Sequence, residues 1–427
     1  MWSRPAAFGA TLLAVVALLG AGCGDSSSEA HDPIGDGSLG VVRVERGDAI
    51  QIRTMTRLSG PVSHGLTTYH QASVFAVEDY GTIQGVTVEV TGLDEQCTPE
   101  GGQQAARTVI ADPAIVGVVG TSCSAAATGA SPVLSDAGLT MISPSNSSPA
   151  LTSDLAGNPN EFYRPGYFRT AQNDLYQGEA VASFLRDAHG AGRVAVIHHG
   201  DAYTKGLAEA FRNAFERVGG RVTGFVEVDQ DATDLTSVLA EFADGAPDAL
   251  FLPVTRPLAD YAVSQVRASD ALGEIILVAA DTVLNVPFLE LEENEGIFVA
   301  GPDLRYGGNA NQATGRTADQ VMQRFIDETG EPPVRAFWAH SYDAATLLLD
   351  AVLAASWLDD GALVIDRAAV RQHLHQVTGF DGLIGTLSCD GFGDCGPAKM
   401  TIVQSLGPGN AEASLRNVVY EFSPPQP

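Results

Sequence analysis

The stretch 116–152 limits the fold more than any other part of the chain. Residues 115–119 form a short β-branched run, broken by Gly120-Thr121-Ser122-Cys123-Ser124. Residues 125–137 fit a helix, 139–142 form a second apolar run, and Ser143-Pro144-Ser145-Asn146-Ser147-Ser148-Pro149 ends it. Two apolar runs joined by a helix-length insertion predict parallel strands in one sheet. Both hydroxyl-rich turns then lie at the carboxyl ends of their strands, where open α/β sheets bind ligands. The helix that starts after Ser124 adds main-chain N–H groups lacking intrahelical acceptors, which suit an anion.

The same alternation runs through most of the chain. Strands are predicted at 50–55 and 86–90, with helices at 66–79 and 98–110, the second capped by Thr98. A Gly/Asn/Pro-rich passage follows residue 152, then a short strand at 167–170. The pattern starts afresh with helices at 176–188, 206–218, 235–242 and 258–268, and strands at 194–198, 222–228, 249–254, 275–280 and 297–300. Two such runs predict two doubly wound α/β lobes, each a parallel sheet covered on both faces. With 427 residues the chain can fill two cores. Helices at 317–329, 336–355 and 363–377, a hairpin at 382–403 and a strand at 417–422 complete the reading.

A net charge of −28 argues against nucleic acid, whose phosphates need Lys and Arg, and against docking on anionic lipid. The first residues carry Arg4 and an apolar run at 6–19, too short for a typical span. Leu19-Gly20-Ala21-Gly22-Cys23 then resembles a bacterial lipoprotein signal, with Leu19 one place further from the cysteine than usual. That reading makes 1–22 a signal peptide, Cys23 the lipidated residue and 23–47 a flexible tether; an ordinary secretory signal is the alternative. The remaining cysteines suit disulfides in an exported protein. Local spacing favours Cys389 with Cys395, leaving Cys97 with Cys123. Zinc is disfavoured, because CxxxxxC has no second close pair.

The segments GPV near residue 60, DEQC, VVGTSCS, MISPSNSSPALT, FRT, IHHGDAYTKGLAEAF, AADTVLN and AFWAHSYDA occur in one order. Together they resemble the type I periplasmic substrate-binding proteins, notably the leucine/isoleucine/valine-binding and amino-acid-amide receptors of ABC transporters. The resemblance spans about 48–422. It implies two Rossmann-like lobes joined by three crossovers, near Thr170, near Pro302 and between Val377 and Gly385. Lobe 1 would take 48–170 and 302–378, and lobe 2 171–301 and 379–422. Carried over by position, the family's carboxylate site falls on Ser124, Asn146 and Ser147. Its ammonium acceptor falls on Asp281, and its closing aromatic on Tyr203. His64 lies in the loop that flanks the ligand. Thr255 and Arg256 stand where the family often has an aromatic, and 145–148 is more polar than usual. Arg256 would suit an acidic or polar ligand side chain.

Each residue also has a structural reading. Ser124 suits a helix N-cap, Asp281 could cap the following segment, and Tyr203 could pack at a helix start. Enzyme readings find less support. His198-His199 and His373-Leu374-His375 lack HExxH spacing, no GxSxG elbow surrounds Ser124, and no GxGxxG or GxxxxGK[ST] loop indicates a nucleotide. The expectation is a monomeric, lipid-anchored extracytoplasmic protein that binds an amino-acid-like ligand without cofactor or metal and delivers it to an ABC permease. A receptor reporting ligand occupancy to a separate membrane partner is the alternative.

Overall fold

The computed structural model describes residues 34–59 and 63–424, the side chains of 63–66 excepted. The leader at 1–22, Cys23 and the side chain of His64 lie outside the described residues. Among the described residues, no helix is long and apolar enough to cross a membrane.

The first lobe is built on a sheet in the order Thr82–Ile83, Val86–Asp94, Ile50–Thr56, Ile115–Gly120, Thr140–Ser143, Tyr167–Arg169. All neighbours are parallel except the first pair. Successive side chains on a strand face opposite ways, so each strand feeds two cores. Val119, Ile142 and Phe168 face the long buried helix Trp338–Ala354. Their neighbours Val118, Met141 and Tyr167 face helices Pro99–Ile110 and Ser124–Asp136. Those two helices touch backbone to backbone: a Cβ on Gly129 would lie 1.9 Å from the Pro99 carbonyl oxygen.

The second lobe has the order Val418–Phe422, Met400–Gln404, Phe298–Pro302, Ile276–Ala279, Ala249–Leu252, Arg193–His198, Arg221–Glu227. Its first two strands are antiparallel edges on a parallel sheet. It divides likewise, with Ala195, Ile197, Leu250 and Leu252 on one face and Val194, Val196, Ala249 and Phe251 on the other. The alternation read from the sequence is therefore the architecture of the molecule.

Three departures stand out. Val41–Val44, within the segment read as tether, is a strand paired antiparallel with Ala362–Asp366, and Val42 and Val44 are buried. The helix read at 363–377 is a strand, Ala362–Asp366, followed by helix Arg367–His375. Asp366 marks the break, its carboxylate accepting the Ala369 N–H at 3.0 Å. The hairpin read at 382–403 is two separate features. Phe380–Gly382 and Gly385–Leu387 form a small hairpin whose apolar residues join the first lobe's core. Met400–Gln404 belongs to the second sheet.

The chain passes between lobes after Arg169, after Pro302 and before Met400. The first and last passages run side by side: the Cys395 N–H donates to the Arg169 carbonyl at 2.9 Å. A Cβ on Gly396 would lie 2.0 Å from the Thr170 carbonyl oxygen, so only glycine permits that approach. Both expected disulfides are present, Cys97–Cys123 and Cys389–Cys395. They suit an oxidising compartment.

Candidate functional site

The loops after Ile115–Gly120 and Thr140–Ser143 are rich in serine because hydroxyls stitch them together. Ser143 Oγ donates to the Thr121 carbonyl at 2.7 Å, and Ser145 Oγ to the Ser122 carbonyl at 2.9 Å. Asn146 Nδ2 donates to Thr121 Oγ1 at 2.9 Å. Arg169, fully buried, holds the far side of the second loop through the carbonyls of Asn146 and Ser148, at 3.1 and 2.7 Å. Its charge is balanced by Asp394 at 2.5 Å.

Within this frame Ser124 is the first residue of its helix, and Cys123 occupies the N-cap without a side-chain bond. Ser124 Oγ accepts the Ser148 N–H at 3.3 Å, so its own hydroxyl hydrogen remains to donate. The helix start and that hydroxyl make a site for a carboxylate without Arg or Lys. Asn146 turns its side chain into the lobe, and Ser147 turns its hydroxyl toward Asp174. Both side chains are thus committed elsewhere, and the N–H groups of Ser145, Asn146 and Ser148 are bonded to Ser143 Oγ and Ser124 Oγ.

Opposite lies a cluster of acids that sequence reasoning only half found. Asp281 Oδ1 accepts from Tyr203 Oη at 2.7 Å and from Gln177 Nε2 at 3.0 Å. Asp174 begins helix Asp174–Ser183, behind the Asn173 cap. Ser147 Oγ donates to its Oδ2 at 3.0 Å, while its Oδ1 is buried with no partner. Burial pushes the Asp174 carboxyl well above its ordinary value, and the charge of Asp281 pushes it further. Burial likewise raises Asp281, against the lowering effect of Tyr203 and Gln177. Burial and then Asp281 hold the Tyr203 phenol protonated, as a donor.

Two aromatics complete the floor. Tyr69, on helix Ser63–Tyr80, and Phe337, at the N-cap of Trp338–Ala354, both pack with the second lobe's apolar cluster. The phenol of Tyr69 feels both Arg335 and Asp281. Arg335 Nη1 reaches across to the Thr282 carbonyl at 3.0 Å. Ser148 Oγ similarly donates across to the Ala202 carbonyl at 2.6 Å. Arg256 is not free for a ligand: its Nε bonds both oxygens of Asp260 at 2.9 Å. Thr255 lies beside His199, at 3.3 Å from Nε2.

The site therefore unites Ser124, Tyr203 and Asp281 with Asp174, Gln177, Tyr69, Phe337 and Arg335. Chemically, the Ser124 helix start suits an anion, and Asp174 and Asp281 suit a cation. Other chemistry finds less footing. Among the described residues, the His/Cys/Asp/Glu group compact enough for a metal is Glu95 with Cys97 and Cys123, whose sulfurs are bonded to each other. Burial pushes Glu95 up to about 8, which favours its neutral form at neutral pH. His198 and His375 pack against Phe225 and Phe168.

A family model described as "Periplasmic binding protein" matches residues 49–405. A Leu/Ile/Val-binding protein homolog from Brucella melitensis is 26% identical over 348 residues, 81% of this chain and 88% of the relative. A Leu/Ile/Val/Thr-binding protein from Salmonella typhimurium is 26% identical over 355 residues, with the same two coverages, 81% and 88%. Among solved structures, a leucine binding protein from Thermotoga maritima superposes with TM-score 0.72 at 23% identity, covering 83% of this chain and 95% of that one.

Proposed function

Since the chain belongs to the periplasmic binding protein family, we propose that it captures an amino acid or related small zwitterion between its lobes and delivers it to an ABC importer. The family is one of extracytoplasmic binding proteins, not enzymes. The carrying observation is the pair of buried carboxylates, Asp174 and Asp281, the first with an oxygen that has no partner. Two acids held out of water next to each other hold on to protons unless a cation comes between them, and an ammonium would fill that role. The Ser124 helix start supplies the counterpart for a carboxylate. The relatives' names point to the same ligand class, α-amino acids.

Binding follows from desolvated complementarity. Lobe 1 takes the carboxylate at the Ser124 hydroxyl and the N–H groups of its helix start. Asp174 and Asp281, aligned by Ser147, Gln177 and Tyr203, take the ammonium. Closure about the three passages removes water from both ends. An analogue lacking one end leaves charged groups buried and unpaired. Anchoring would come from acylation of Cys23, with 24–40 as spacer, and a permease would receive the closed form.

The test is calorimetry with a panel of amino acids on the wild type, Asp281→Asn and Asp174→Asn. Losing a charge-assisted bond of about 1.5–3 kcal/mol weakens binding roughly 10- to 150-fold. Unchanged affinity in both folded variants would refute the ammonium assignment.

A further inference from the structure

Arg335 is the cleft residue that an aliphatic ligand leaves unexplained. It lies at the end of the connection into helix Trp338–Ala354, two residues before Phe337. Its Nη1 donates to the Thr282 carbonyl at 3.0 Å, one residue past Asp281. Its Nε is buried with no hydrogen-bond partner among the described residues. It is close enough to Asp281 and to the Tyr69 phenol to act electrostatically on both. The fully buried Arg169 is by contrast bonded throughout and balanced by Asp394, whereas Arg367 and Arg371, away from the cleft acids, also have a buried Nε with no partner among the described residues.

A guanidinium offers its donors in a planar fork, and Nε with a terminal nitrogen matches the two oxygens of a carboxylate. Ligand ammonium would satisfy Asp281 and Asp174, and ligand α-carboxylate would meet the Ser124 helix start. Arg335, itself half-buried, would then be left beside the ligand as a cation with an unmet Nε donor. An aliphatic side chain supplies nothing for it and adds desolvation. An acidic side chain supplies the missing charge and both acceptors.

We propose that Arg335 is a specificity-determining residue that binds a second carboxylate, and that the ligand class is the acidic α-amino acids. The proposal rests on the reading of the cleft as an amino-acid site. It moves the acid-reading role from Arg256, which Asp260 occupies, to Arg335.

The experiment is calorimetric titration of the purified protein with L-glutamate, L-aspartate and L-leucine, on wild type, Arg335→Gln, Arg335→Lys and Asp281→Asn. An acidic ligand binds the wild type at least about tenfold tighter than leucine, the difference one charge-assisted contact makes. Arg335→Gln abolishes that preference by weakening the acidic ligands alone, and Arg335→Lys, which keeps charge without the fork, falls between. Asp281→Asn weakens every α-amino acid. If Arg335 merely ties the lobes through Thr282, Arg335→Gln weakens all ligands equally and the proposal fails. Leucine binding the wild type as well as or better than the acids overturns the proposal and leaves the amino-acid reading standing. Binding of no α-amino acid overturns both. If Arg335→Gln does not fold, the wild-type ranking decides.

Discussion

Asp174 and Asp281 sit in the free site as two carboxylates whose ordinary value, 3.8, is raised first by burial; for Asp174 the charge of Asp281 adds to it. A folded-state value above the unfolded one means the free protein holds protons the unfolded chain would release. Its stability therefore falls as pH rises from 3.8 through the raised values. A bound ammonium reverses this by favouring the ionised pair, so affinity rises with pH through that window and binding expels protons. Calorimetry in two buffers of different ionisation enthalpy, across a pH series, measures both; pH-independent affinity with no proton release would show that these acids face no cation. Asp281, Tyr203 and Ser124, which the proposed site uses, could be singled out in the sequence because each follows a strand-end turn with a recognisable flanking motif. Asp174 was not, because an acid in the first turn behind an Asn cap already has a reason to be there. Tyr69, Gln177 and Arg335 carry no local signal; their roles arise from pairings such as Gln177 with Asp281, 104 residues apart.

The N-terminus of helix Ser124–Asp136 is held in place where its flank meets helix Pro99–Ile110 at backbone distance. Gly129→Ala sets two effects against each other. Alanine in a helix gains about 1 kcal/mol over glycine, whereas overpacking costs about 1–3 kcal/mol. The added Cβ meets the Pro99 carbonyl oxygen at 1.9 Å, and backbone cannot swing aside as a side chain can. The clash wins: the variant's urea midpoint falls, and affinity falls with it as Ser124 is displaced. A variant more stable than wild type would mean the helices separate freely and do not fix the site. At this scale, regular alternation made the two central sheets legible, and misreadings occurred where one apolar pattern serves two elements. Residues 362–375 are apolar at a spacing compatible with a helix throughout, and only the Asp366 cap, bonded to the Ala369 N–H at 3.0 Å, divides strand from helix. Val41–Val44 was lost to its Gly- and Ser-rich surroundings; its pairing with Ala362–Asp366 spans more than 300 residues.

Among the described residues, the bonds that join the lobes over the cleft include Ser148 to the Ala202 carbonyl, Arg335 to the Thr282 carbonyl and Ser147 to the Asp174 carboxylate. Each is a net contribution of about 0.5–1.5 kcal/mol, or somewhat more for the guanidinium. Against them stands the cost of holding Asp174 and Asp281 out of water, which pushes both carboxyls above their ordinary value. Modest bonds set against that cost would leave the closed arrangement dependent on a ligand, whose ammonium would pair with the acids and whose carboxylate would add bonds to lobe 1. Such a balance is a hinge equilibrium that the ligand shifts by its differential affinity. Small-angle scattering should accordingly show a larger radius of gyration without ligand and a smaller one at saturation. Thermal unfolding should show a stabilisation of ~2.7 kcal/mol at 100 times Kd. Ser148→Ala removes one closing bond without touching the ligand, so it weakens affinity roughly two- to twelvefold. The same variant leaves the scattering curve of the free protein unchanged. Binding by calorimetry with no change in scattering would place the ligand in a rigid, permanently closed cleft, and the passages beside Thr170 and Gly396 would then be fixed joints.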